Sequence, residues 1–92
     1  MFVIIAYDIS NDRRRTRIHK TLKSYGTWTQ FSLFECRLTE QDYIRLRQRL
    51  AKLLDPETDA VRFYFVCASC EKKVELLGKP LPPALDEPMF GE

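Results

Sequence analysis

Residues 2–9, FVIIAYDI, are almost wholly apolar and rich in β-branched and aromatic side chains, the pattern of a strand buried on both faces at the centre of a sheet. The period then changes. Ser10, Asn11 and Asp12 each offer a side-chain oxygen to cap a helix opening near Asp12. Ile18, Leu22 and Tyr25 recur at helical spacing and give that helix a core face, with Arg13, Arg17, Lys20 and Lys23 on or near its outer face. Gly26 closes it, as a residue able to take the left-handed conformation.

Residues 27–38, TWTQFSLFECRL, combine β-formers with interleaved polar positions and read as one long bent strand or a tight pair of strands. Thr39 and Asp42 make a T-x-x-D capping signature for a second helix. Its apolar stripe is Tyr43, Leu46, Leu50 and Leu53, its outer face carries Arg45, Arg47, Arg49 and Lys52, and Asp55-Pro56 ends it. AVRFYFVCA is a further strand and KKVELLG a shorter one. After Gly78 the texture becomes KPLPPALDEPMFGE, with four of the five prolines in the last thirteen positions. Proline cannot donate to a sheet ladder, so residues 79–92 form a tail, loose or laid along a partner, behind a domain spanning 1–78.

This order predicts an α+β domain on the ferredoxin-like βαββαβ plan, with two helices on one face of a mainly antiparallel sheet. Alternate residues of VRFYFV would place aromatic side chains on the other face, and an apolar sheet face of that size is usually covered by a second subunit or a ligand.

A chain of 92 residues makes one small domain with little room for a deep cleft. No apolar run reaches membrane-spanning length, and MFVIIAYD lacks the features of a signal peptide, so a cytoplasmic protein is expected. The three cysteines, Cys36, Cys67 and Cys70, are then expected as reduced thiols; Cys67 and Cys70 have CxxC spacing but no second ligand pair for zinc. The net charge of +2 conceals a strong asymmetry. Residues 1–52 hold eleven Lys or Arg against five Asp or Glu, and residues 53–92 hold four against eight. The basic half is the one suited to phosphates, although the charges of the second helix read as a solvated face.

YDISNDRRRTRIHKTLKSYG followed by QFSLFE resembles the CRISPR-associated protein 2 family over about residues 1–80. The resemblance rests on an apolar first strand ending Tyr7-Asp8-Ile9, an arginine-rich helix start with Arg15 and Arg17, Leu22 and Gly26, and the series Gln30, Ser32, Phe34, Glu35. It implies a symmetric homodimer packed sheet against sheet, often with the C-terminal segment on the partner. It also implies work beside the CRISPR integrase subunit in spacer acquisition. Several family members look like metal-dependent endonucleases acting on single-stranded RNA or duplex DNA, with the aspartate matching Asp8 as catalytic metal ligand.

Mg²⁺ favours oxygen ligands and takes one or two carboxylates with water and substrate phosphate, so a two-fold axis bringing together Asp8 from two subunits would complete a site. The bland alternative for Asp8 is a strand end that helps cap the helix. Arg13, Arg14, Arg15 and Arg17 would hold phosphate oxygens near a helix N-terminus, or merely solvate the helix. Tyr7 and Phe34 would border the site or belong to the core, and His19, the lone histidine, reads as structural. Two functions use the same arginines: a Mg²⁺-dependent endonuclease, and a non-catalytic DNA-binding scaffold of the integrase complex. An RNA-binding module of the RRM kind ranks below both, because RFYFV lacks the glycines of that signature.

Overall fold

The computed structural model describes residues 1–79. The chain runs β1 (Phe2–Asp8), α1 (Asp12–Lys23), β2 (Thr27–Gln30), β3 (Leu33–Arg37), α2 (Glu40–Leu53), β4 (Ala60–Val66) and α3 (Ala68–Glu71). The strands form one antiparallel sheet in the order β2-β3-β1-β4, so the apolar run at the N-terminus is central, as its composition predicts. TWTQFSLFECRL resolves into two strands, β2 and β3. The tail beyond residue 79 lies outside the described residues.

Side chains alternate across a strand. Val3, Ile5 and Tyr7 of β1 and Phe34 and Cys36 of β3 therefore share one face, and they pack with Ile18 and Leu22 of α1 and Leu46 and Leu50 of α2 in a single core. Both helices thus cover one side of the sheet, in the ferredoxin-like α+β arrangement. The opposite side is less buried than the uniformly apolar β1 suggests: Ile4 and Ala6 are only half-buried. Of the β4 aromatics only Tyr64 joins them there. Phe63 and Phe65 turn to the helical side and meet the Tyr43 ring edge-on, with centroids 5.6 and 5.2 Å away.

Asn11 is the residue that caps α1, its side chain accepting from the Arg14 backbone N–H at 2.9 Å, and Thr39 caps α2 in the same way through Asp42. The end of α1 differs from expectation in its cause. The helix stops at Lys23, with Ser24 as C-cap, and the glycine with a left-handed backbone is Gly78, not Gly26. Gly26 is required by space: a Cβ there would lie 2.3 Å from Cys36 Sγ and 2.6 Å from the Glu35 carbonyl oxygen. Its missing side chain lets the start of β2 lie against β3.

No strand forms over KKVELLG. Cys67 opens the short helix α3, Lys72 and Lys73 complete a turn, and residues 74–77 have no neighbouring strand among the described residues. β-propensity stabilises a strand only through cross-strand partners, and Leu76 and Leu77 here are exposed. An ion pair between Glu71 and Arg37 ties α3 back to the end of β3.

Replacing Gly26 by Ala is expected to cost about 1–3 kcal/mol, because the neighbours that must yield are backbone and a buried thiol. Chemical denaturation of the Gly26→Ala variant measures this directly; a change below a few tenths of a kcal/mol would contradict the close approach.

Candidate active site

The two-residue period of β1 divides Tyr7 from Asp8. Tyr7 points under the helices, where its hydroxyl and His19 Nδ1 share a hydrogen bond of 3.0 Å. Burial pushes the Tyr7 phenol up to about 12 against the opposing charge of Arg15, and it pushes the His19 imidazole below its ordinary range, helped by Lys23. Both groups are therefore neutral near pH 7. The His19 ring also packs edge-on against Phe34 and Trp28, with centroids 5.1 and 5.5 Å away. His19 is a core residue with a polar partner. Phe34 is fully buried, with its ring centroid 6.3 Å from that of Tyr7.

Asp8 ends β1 on the other parity and is exposed. Among the described residues its carboxylate accepts no side-chain or backbone hydrogen bond and forms no ion pair, so it does not cap α1. It lines a shallow depression of about 220 Å³ with Tyr7, Ile9, Arg15, Phe31 and Ser32. Ser32 is held there by its carbonyl oxygen, which accepts from the Tyr7 backbone N–H at 3.1 Å. Phe31, at the turn between β2 and β3, has a left-handed backbone with φ of 41° and is 77% exposed. The Trp28 indole N–H donates to its carbonyl oxygen at 2.8 Å, fixing a conformation that a phenylalanine rarely adopts.

The four arginines divide. Arg13 is exposed at the start of α1, and Arg17 is exposed one turn further on. Arg15 reaches the depression beside Asp8 and pairs with Asp12. Arg14 is committed elsewhere. Its Nε donates to Asp59 Oδ2 at 2.8 Å and its Nη2 to Oδ1 at 3.2 Å, a bidentate clamp in which the Asp59 side chain is fully buried. Arg14 therefore serves the fold, contrary to the expectation that it joins a phosphate grip.

Asp59 is the residue that sequence reasoning missed. Its carboxylate also accepts from the Ser10 backbone N–H at 3.1 Å, the Ser10 hydroxyl at 3.2 Å, the Thr58 hydroxyl at 3.1 Å and the Asp55 backbone N–H at 2.9 Å. These bonds join the loop after Asp8, the first turn of α1 and the loop before β4. Arg14 first, then the other donors, hold the Asp59 carboxyl well below the usual carboxylate range. The only advance signal was an acid just before a strand, in DPETD, and no local pattern links it to Arg14 across the chain.

For a hard divalent cation, the donor set in one chain is sparse. Among the described residues no group of three His, Cys, Asp or Glu stands together. A lone exposed carboxylate oxygen suits Mg²⁺ in kind and falls short in number, whereas two copies of Asp8 would supply the usual one or two carboxylates.

A sequence model of the family described as CRISPR associated protein Cas2 matches residues 1–74. The chain is 43% identical over 91 residues to a Chloroflexus aurantiacus protein named CRISPR-associated endoribonuclease Cas2 1, covering 98% of each. It is 34% identical over 90 residues to CRISPR-associated endoribonuclease Cas2 of Thermus thermophilus, covering 98% of this chain and 96% of that one. Among solved structures, Streptococcus pyogenes Cas2 is similar with a TM-score of 0.75 at 31% identity, over 85% of this chain and all (100%) of that one. A hypothetical protein from Thermus thermophilus gives 0.78 at 43% identity, over 89% and 95% of the two chains. No helix among the described residues is long and apolar enough to cross a membrane.

Two titrations set the acid limb of stability. A folded-state pKa below the unfolded one contributes stability that is complete above the unfolded value and lost as pH falls through the folded one. His19 is expected to weaken the fold below about pH 6.5, and Asp59 below about pH 4. In thermal melts across that range, Asp59→Asn should lower Tm at neutral pH and flatten the second stage while leaving the first. Phe31→Asn should raise Tm by roughly 4–8 °C per kcal/mol of strain relieved, since Asn tolerates the left-handed region and little buried area is lost.

Proposed function

The chain belongs to the CRISPR associated protein Cas2 family, and from that premise we propose that it is a nuclease hydrolysing phosphodiester bonds at Asp8, working as a homodimer in CRISPR adaptation. The observation that supports this reading most is the state of Asp8. An exposed carboxylate with no hydrogen-bond or ion-pair partner among the described residues lies in a depression next to Arg15, at the end of a rigid central strand. The names of the two curated relatives point to RNA as the class of substrate.

The dimer is proposed from the uncovered sheet face. Ile4, Ala6 and Leu33 are half-buried there and Tyr64 is 48% exposed, an apolar strip that a second copy would remove from water. A two-fold axis across that face would set the Asp8 carboxylates of both copies toward one another, since Asp8 shares the parity of Ile4 and Ala6.

In the mechanism, Arg15, which lines the depression, and Arg13, exposed at the start of α1, hold non-bridging phosphate oxygens of the substrate and set the scissile bond over the depression. The Asp8 pair would bind Mg²⁺, which when present supplies Lewis acidity and a water of lowered pKa. Asp8 would orient a water toward phosphorus. Tyr7 and His19, neutral and bonded to each other, exclude solvent beneath the site and take no proton. A second reading, a non-catalytic DNA-binding scaffold beside the CRISPR integrase, is favoured by one fact: among the described residues of one chain, Asp8 is the single carboxylate lining the depression.

Asp8→Asn separates the two readings. With Mg²⁺ titrated against single-stranded RNA and duplex DNA, and dimerisation checked by sedimentation, the variant is expected to lose cleavage by about 100-fold or more. Equal rates in the two proteins, both dimeric, would leave the scaffold as the function.

A further inference from the structure

One motif of the chain takes no part in the site at Asp8. Cys67-Ala68-Ser69-Cys70 follows directly on β4, and both of its thiols are free and exposed. We propose that Cys67 and Cys70 form a reversible dithiol–disulfide site, which reacts with a low-molecular-weight disulfide and closes into an intramolecular bond.

The local fold brings the two thiols together. Cys67 is the N-cap of α3 and Cys70 is the third residue of the helix, the two positions whose side chains reach toward one another across a first turn. The turn is closed by the Glu71 backbone N–H, which donates to the Cys67 carbonyl oxygen at 2.8 Å. Cα atoms three residues apart on one turn lie about 5 Å from each other, inside the range of about 4.4–6.8 Å that a disulfide spans. Both ends of the turn are anchored. Val66, just before Cys67, pairs with Phe2 of β1, and Glu71 holds Arg37, whose guanidinium stands over the Phe2 ring at 5.1 Å. Closure therefore asks for side-chain rotation and for no rearrangement of the strands.

The two sulfurs differ in chemistry. Cys67 Sγ and the Ser69 hydroxyl share a hydrogen bond of 3.3 Å. That bond first, and contact with Cys70 next, bring the Cys67 thiol down to about 7, while the same contact pushes the Cys70 thiol up. Near neutral pH Cys67 is thus the attacking thiolate, and a thiol whose pKa lies near the ambient pH attacks disulfides fastest. Its sulfur attacks one sulfur of the small disulfide, forming a mixed disulfide and releasing one small thiolate. Cys70 then loses its proton to solvent and attacks Cys67 Sγ. The Cys67–Cys70 bond forms, the mixed bond breaks and the second small thiolate leaves, so the protein gives up two electrons and the small disulfide takes them. Zinc is a poorer fit, because it needs four ligands and no third His, Cys, Asp or Glu stands with this pair among the described residues. Cys36 supplies the contrast: it is buried in the core, and burial first, then Glu35, pushes its thiol up to about 11.

The test places the full chain near pH 7 in a series of reduced and oxidised glutathione mixtures, quenches with N-ethylmaleimide, and reads intact mass and peptide map. The expected product has lost two hydrogens, carries its link between Cys67 and Cys70, leaves Cys36 reduced, and returns to the dithiol with dithiothreitol. Cys70→Ser should stop at a mixed disulfide of Cys67 with one glutathione, and Cys67→Ser should react at least about threefold more slowly than wild type. Both thiols are exposed, so neither variant is expected to lower Tm. A wild type that ends as a glutathione adduct, links Cys36 or a second chain, or stays reduced across the series would overturn the proposal. Equal rates in wild type and Cys67→Ser would do the same. Asp8→Asn should oxidise like wild type, so the outcome stands apart from that of the cleavage reading.

Discussion

The alternation of side chains along β1 is the constraint from which the rest of the molecule follows. β1 has a strand on each edge, so its backbone is fixed along its whole length and each side chain is committed to one side or the other. Val3, Ile5 and Tyr7 go under the helices, where Tyr7 finds His19. Asp8, one position on, must face the other way. A slip of one residue would bury the carboxylate and expose the phenol, so the core and the candidate site are fixed by the same register.

Much of this was legible because it rests on local periodicity. The apolar run of β1, the stripe of α2 and the cap at Thr39 each follow from spacing within a few residues, whereas spacing narrowed the cap of α1 only to Ser10, Asn11 or Asp12. What escaped was long-range. Gly26 was visible as a helix-end glycine, but its reason lies at Cys36, on the strand it must approach. KKVELLG has the side chains of a strand and lacks a neighbour, which no local pattern encodes. The clamp between Arg14 and Asp59 spans the domain, and it engages an arginine that sequence could not tell from its neighbours. At the candidate site, Asp8 and Arg15 were legible from strand end and helix start, whereas Phe31 was not, since nothing in QFSLFE announces a left-handed phenylalanine.

The arginine burst at residues 13–17 thus distributes several tasks within little more than one helical turn. Arg14 clamps the loop that follows Asp8, Arg15 faces the depression, and Arg17 turns toward α2. Helical geometry does the sorting, because successive residues are about 100° apart around the axis. Identical side chains with similar intrinsic chemistry acquire different surroundings. The neutral Tyr7–His19 pair beneath them supplies the contrast: a polar contact inside the core that steadies α1 against β1 and carries no charge near pH 7.

The strand order also has a consequence for how the chain comes into being. β1 is made first, and one of its edges can close once β3 is complete at Arg37. The other edge waits for β4, which ends at Val66. At ordinary rates of synthesis that interval is roughly 1.5–6 s. For that time the most apolar stretch of the nascent chain has an unpaired flank, open to pairing with strangers. The element that makes the finished domain rigid is thus also the one most exposed to misassembly while the domain is being made.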